Sequence, residues 1–164
     1  MAQRPGGKRF KELMRRSSRD WAASKVVVGI LRADSRAAQA LERRLADVDL
    51  TLPQFNVLMV LAASPAGSLP LFELNAQLVS TPPNTTWLTS RMQERGLVTK
   101  KRDPDDGRVV LLEIKEKGWS VLAKAAPLVF GTERELLAGF SEAELQTLGE
   151  LLSRLLDQDP PEGG

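Results

Sequence analysis

From Trp21 onward, apolar or small residues fall at Val28, Leu31, Ala38, Leu41, Leu45 and Val48, at steps of three, four and seven, which places them on one stripe of a long helix. The stripe is expected to be buried, with a bend near Gly29 or Asp34-Ser35. A second helix is expected from Thr51 to Ala63. Thr51 is a capping residue, Gln54 stands three positions on as a capping box requires, and Phe55, Leu58 and Leu61 keep the helical period. Ser64-Pro65-Ala66-Gly67-Ser68 ends it. A short third helix, about Pro70 to Val79, carries Leu71, Leu74 and Leu78 on one face. The fourth is punctuated at both ends. Thr81 as cap, Pro82 as first helical residue, Leu88 and Met92 inward and Gly96 just past the end predict a helix from Pro82 to about Arg95.

Between Leu97 and Ile114 the pattern changes to two β-prone runs, joined by Asp103-Pro104-Asp105-Asp106-Gly107 and flanked by Lys100, Lys101, Arg102 and Arg108. Pro104 suits the first central position of a tight turn, Asp103 is placed to bond its own backbone, and Gly107 supplies a residue free to take positive φ. Helical spacing resumes at about Glu116 with Trp119, Leu122, Ala126 and Val129, and continues past Pro127 to Leu136 or Leu137. Ser141 and Glu144 form a second capping box, followed by the stripe Leu145, Leu148, Leu152, Leu155 and Leu156. Asp159 to Gly164 reads as a disordered tail.

The chain of 164 residues has no cysteine and no histidine, which removes thiol nucleophiles, disulfides, thiolate zinc sites and imidazole acid–base catalysis. Carboxylates, lysines and hydroxyls remain, and none forms a nucleophile and base pair, so no enzyme is expected. Asp103, Asp105 and Asp106 do not make a calcium loop, because an EF-hand starting at Asp103 needs glycine where Arg108 stands and glutamate where Ile114 stands. No metal site and no cofactor are expected. The longest apolar run, around Val26 to Leu31, is far too short for a membrane span, and a soluble, cytoplasmic protein is the expectation. Net charge is only +2, yet Arg4, Lys8, Arg9, Lys11, Arg15, Arg16 and Arg19 load the start while Glu142, Glu144, Glu150, Asp157, Asp159 and Glu162 load the end.

Short helix, turn, capped second helix and β-hairpin, in that order, make a winged helix-turn-helix, and its chemistry suits double-stranded DNA. The capped helix offers Thr81, Pro83, Asn84, Thr85, Thr86, Thr89, Ser90 and Arg91 as candidate contacts, with an N-terminus that attracts phosphate. The Asn84 amide matches the donor and acceptor pair of adenine, though a capping or solvated role stands beside that reading. At the hairpin, Arg108 follows the turn glycine and is suited to a narrow minor groove, while Asp106 is placed to orient it by a salt bridge. A simple hairpin lock is the alternative. Lys100, Lys101 and Arg102 add phosphate neutralisation. Trp87 interrupts the polar run and is expected to pack against the hairpin or the third helix.

The two ends carry more apolar positions than a small winged helix covers. Pairing of two chains through Trp21, Val28, Leu145, Leu148, Leu152 and Leu155 is therefore expected, with two reading helices about one DNA turn apart. The fold expected is mainly α with a small β-hairpin wing. A basic arm spans 1–18, dimerisation helices about 19–48 and 116–158, a DNA-binding lobe about 51–115, and a tail 159–164.

With those residues in hand, the stretch from about Trp21 to Gln158 resembles the MarR family of transcriptional regulators. The likeness rests on Leu50-Thr51-Leu52-Pro53-Gln54-Phe55-Asn56-Val57-Leu58, on Arg91-Met92-Gln93-Glu94-Arg95-Gly96-Leu97-Val98, and on Arg102-Asp103-Pro104-Asp105-Asp106-Gly107-Arg108. The resemblance implies a homodimer whose wing arginine, Arg108 here, enters the minor groove while Asp106 braces it. It also implies that DNA is released in many members when a small, often phenolic or anionic, ligand binds between the dimerisation helices and the DNA-binding lobe. A repressor at a palindromic operator with an organic effector of unknown identity is thus the expectation. A winged helix serving as a protein-interaction scaffold is the alternative, against which the hydroxyl-rich reading helix and Arg108 argue.

Overall fold

The computed structural model describes residues 18–64, 66–78, 85–104 and 106–158. The basic arm, the proposed cap and first turn of the fourth helix (Thr81, Pro82, Pro83 and Asn84), Asp105 and the tail from Asp159 lie outside the described residues. The chain divides into two compact units, Met1–Ala40 and Leu41–Gly164.

In the first unit, helix α1 (Ser18–Leu45) runs without interruption through Gly29 and Asp34-Ser35. Trp21, Val26, Val27, Val28 and Leu31 are exposed. The expectation of one buried stripe thus fails for Val28 and Leu31, because spacing puts residues on a common face but only a covering element buries them.

The second unit begins on the same helix at Leu41, which packs on the core, and Leu45, which is fully buried. A 3-10 turn (Ala46–Val48) closes on Asp49, a non-glycine residue at φ 54, and leads into α2 (Leu52–Ala63). The capping box at α2 forms as its sequence demands: Thr51 Oγ1 accepts from Gln54 N–H and Gln54 Oε1 accepts from Thr51 N–H at 3.2 Å. Strand β1 (Ser68–Pro70), helix α3 (Leu71–Gln77), helix α4 (Thr85–Glu94), strands β2 (Val98–Arg102) and β3 (Val110–Ile114), and helices α5 (Glu116–Leu136) and α6 (Glu142–Leu156) follow. Among the described residues the strands form one antiparallel sheet in the order β1-β3-β2, with Leu69 opposite Leu112 and Val98 opposite Ile114. Alternation along β3 turns Leu112 and Ile114 into the core. Strand β1 was not expected: three residues ending in proline have no readable period, and only pairing with β3, more than forty residues on, makes them a strand.

Leu58, Leu61, Leu74, Met92, Leu97 and Leu112 form the centre of the core, each fully buried. Two backbone features close it. Gly96, at φ 72, ends α4 with its N–H on Gln93 O at 2.9 Å, while Leu97 N–H reaches Met92 O at 3.0 Å, the paired pattern of a glycine-terminated helix. Gly118, in the first turn of α5, lies directly against Leu97: a methyl group there would overlap the Leu97 carbonyl oxygen and come within 3.0 Å of Ile114 Cγ2. The same carbonyl accepts Lys115 N–H at 3.0 Å. Helix α5 continues through Pro127, as its resumed periodicity required. At α6 the second capping box forms, with Ser141 N–H and hydroxyl donating to Glu144 Oε2 at 2.8 and 2.7 Å.

Gly118→Ala is expected to destabilise the fold by about 3 kcal/mol, since the colliding group is backbone and has no rotamer to escape into. Gly131→Ala, on the same helix with only an arginine tip 4.0 Å from the added methyl, is expected to gain about 0.5–1 kcal/mol. Urea denaturation of the two variants beside wild type checks both signs. The Glu144 carboxyl is held below its ordinary value of 4.5, first by the Ser141 N–H and second by the Ser141 hydroxyl. A depressed carboxyl stabilises the folded cap at neutral pH, and that contribution fades as pH falls below 4.5 through the lowered value. Ser141→Ala removes the smaller of the two bonds, so an NMR titration of the Glu144 side chain is expected to shift part of the way back.

Candidate nucleic-acid interface

Helix α4 has two chemically distinct faces. Thr85, Leu88, Thr89 and Met92 point into the core. Thr89 is fully buried and its hydroxyl donates to Thr85 O at 2.9 Å, so the expectation that Thr85 and Thr89 reach outward is corrected. A hydroxyl that bonds the carbonyl four residues back sits comfortably on the core side of a helix. Thr86 and Arg91 are exposed and Ser90 is partly exposed, and the Ser90 hydroxyl donates to Thr86 O at 2.8 Å. Trp87 is also corrected: expected to be packed, it is 61% exposed. Its ring lies beneath the Arg91 guanidinium, 5.7 Å from the ring centre, and Arg91 in turn is 3.4 Å from Glu94 Oε2. Helical geometry explains the pair, since residues four apart stack on one face.

The hairpin is held by its own aspartates. Asp103 Oδ1 accepts Asp106 N–H at 3.1 Å, Asp106 Oδ1 accepts Arg108 N–H at 2.9 Å, and Arg102 donates to Gly107 O at 2.7 Å. Asp103 thus bonds nearby backbone as its position suggested. The expected salt bridge does not form: Asp106 braces Arg108 through the backbone, and among the described residues the Arg108 guanidinium is in no ion pair. Gly107 does not take positive φ, whereas Gly67 and Gly96 do, because the carboxylate-closed turn reverses the chain without needing it. Arg108 is exposed at the tip. Lys100 Nζ donates to Ser90 Oγ at 3.0 Å, tying β2 to α4, and Lys101 pairs with Glu113 across the sheet. Of the hairpin cations, Arg108 is therefore the one whose side chain makes no hydrogen bond or ion pair among the described residues, since Lys100 is held by Ser90, Lys101 by Glu113 and Arg102 by the Gly107 carbonyl.

A further cation, Arg95, sets the attitude of α4 and was not singled out from the sequence as a positioning group. Its guanidinium donates to Gln54 Oε1 at 2.9 Å, to Asp49 Oδ2 at 2.6 Å and to the Asp49 carbonyl. Lys117 Nζ closes the same corner on Arg95 O at 2.8 Å. These partners lie more than forty residues from Arg95 toward the N-terminus and twenty-two beyond it. The only local signal was the Gln54 capping box, whose amide oxygen serves both roles.

Helix α6 has no buried residue. Leu145 is partly covered, while Leu148, Leu152 and Leu155 are exposed along one face, with Trp21 and Val28 exposed on α1. Among the described residues no group of three or more acidic, histidine or cysteine side chains is arranged to hold a metal, and no single helix is long and apolar enough to cross a membrane.

Residues 48–109 match the model of the MarR family. The transcriptional repressor IacR of Pseudomonas putida is 28% identical over 123 residues, covering 75% of this chain and 72% of that protein. The transcriptional regulator ZitR of Lactococcus lactis is 30% identical over 115 residues, 68% of this chain and 77% of that one. Among solved structures, a mutant MarR of E. coli complexed with operator DNA superposes with a TM-score of 0.74 at 25% identity, covering 80% of this chain and 94% of that chain.

Arg95→Ala is expected to lower stability by about 1–2 kcal/mol, a range set by charged hydrogen bonds at a group roughly one-third exposed. Asp49→Asn, which keeps a side chain suited to φ 54, is expected to add little in the same background, since the carboxylate acts through Arg95. A double-mutant cycle in urea tests the coupling, and full additivity would remove the Asp49 carboxylate from the seat of Arg95.

Proposed function

The chain belongs to the MarR family of transcriptional regulators, and from that premise we propose that it acts as a homodimeric repressor binding a palindromic operator, with α4 in the major groove and the wing arginine in the minor groove. The observation that carries this reading is Arg108. It stands exposed at the hairpin tip, its backbone N–H held by Asp106, with a guanidinium that no carboxylate neutralises among the described residues. A cation presented this way is suited to the negative potential of a narrow groove.

On α4 the outward residues Thr86, Ser90 and Arg91 are the described candidates for the duplex. Thr81, Pro83 and Asn84, outside the described residues, keep the DNA-contact role expected of them from the sequence. Lys100, Lys101 and Arg102 lie along the strand leading to the tip, though Lys101 is partly neutralised by Glu113. Two copies join through the leucine face of α6, Leu145, Leu148, Leu152 and Leu155, and through Trp21 and Val28 of α1, since exposed apolar residues repeated along one helix face seldom stay in water. A cytoplasmic protein is part of the same reading, which a DNA-binding role supports. Release by a small organic ligand is the mode of control proposed, and no residue is assigned to it.

Selection of bound duplexes from a random library near physiological salt is expected to enrich an inverted repeat with half-sites about 10 bp apart. On that duplex, Arg108→Ala is expected to weaken binding by about 1–3 kcal/mol and to flatten the dependence of log affinity on log salt by about one unit per protomer. Unchanged affinity and slope in Arg108→Ala, with no repeat enriched by wild type, would favour the scaffold reading.

A further inference from the structure

Trp87, Ser90, Arg91 and Glu94 stand at spacings of three, four and seven along α4 and so share the face opposite Leu88, Thr89 and Met92. On that outward face most hydrogen-bonding groups are already engaged. The Ser90 hydroxyl donates to Thr86 O at 2.8 Å and accepts from Lys100 Nζ at 3.0 Å, and Arg91 and Glu94 are 3.4 Å apart. What the face presents to solvent besides is an indole, 61% exposed, the largest apolar surface on the helix, held under the Arg91 guanidinium at 5.7 Å. An apolar plate in that position is matched by one group on the floor of the major groove, the 5-methyl of thymine, and by no group of cytosine, adenine or guanine.

We propose that Trp87 is a specificity-determining residue, packing its indole on a thymine methyl group in each half-site while Arg91 holds the ring in place. The proposal rests on the DNA reading above and adds to it the base that α4 selects. It differs from hydrogen-bond readout in one respect that can be measured: it depends on a methyl group and not on a base-pair edge. Deoxyuridine keeps every hydrogen-bonding atom of thymine and lacks only that methyl.

The test is parallel selection from a random duplex library with the full-length wild type, Trp87→Ala and Trp87→Phe, followed by binding to the wild-type consensus duplex with thymines replaced singly by deoxyuridine. Wild type is expected to enrich a thymine that Trp87→Ala no longer selects and Trp87→Phe retains. Deoxyuridine at that position should weaken wild-type binding about fourfold, the worth of one buried methyl-sized group, and should leave Trp87→Ala unaffected. The same consensus from wild type and Trp87→Ala, or no loss with deoxyuridine at any position, overturns the thymine proposal and leaves DNA binding standing. No enrichment by wild type overturns the DNA reading and this proposal with it, and makes the exposed indole a contact for a protein.

Discussion

The Leu97 carbonyl is where the lobe is locked together. It accepts Lys115 N–H from the start of α5, and the bare Cα of Gly118 comes close enough to it that no side chain fits between. Because Leu97 joins α4 to β2, this one approach fixes the last turn of α4, the first wing strand and the first turn of α5 with respect to one another. Arg95 and Lys117 surround the same corner, tying it to Asp49, Gln54 and the backbone of α4. Close backbone contact and charged hydrogen bonds complement each other here: the first sets distance, the second sets orientation, and neither has much freedom to relax.

Given that corner, the polar groups of α4 and the wing fall into place by accounting for their partners. Hydroxyls at Thr89 and Ser90 satisfy carbonyls of their own helix, aspartates at the wing tip satisfy backbone N–H groups, and Lys101 meets Glu113. A polar residue in a favourable sequence position is thus a weaker indicator of contact than a polar residue left over after these bonds are made. By that measure Arg108 stands out on the wing, and Trp87 stands out on α4 for the opposite reason, as an apolar group with water over most of its surface.

The remaining apolar surface is long and lies on helices. The α6 leucines beyond Leu145, with Phe130, Leu137 and Phe140 nearby in sequence, are exposed, and so are Trp21, Val26, Val27, Val28 and Leu31 of α1. These residues follow the same spacing rule as the buried Leu122 and Val129 of α5, and differ only in having no element laid across them within the described chain. Periodicity records that a face wants covering; it does not record what covers it.

The helices, the two-stranded wing and their order were legible in the residues themselves. Capping boxes at Thr51 and Ser141, the glycine stop at Gly96 and the aspartate-rich hairpin act over three to five residues, so local chemistry was enough to place α2, α4, α6 and the wing close to where they stand. Packing between distant parts of the chain set strand β1, the inward turn of Thr85 and Thr89, the exposure of Trp87 and the seat of Arg95. Each of these depends on a partner distant in sequence or on which side of a helix meets the core. A hydroxyl, an indole or a guanidinium carries the same local propensity on either side, and it is burial against a distant element that selects the side.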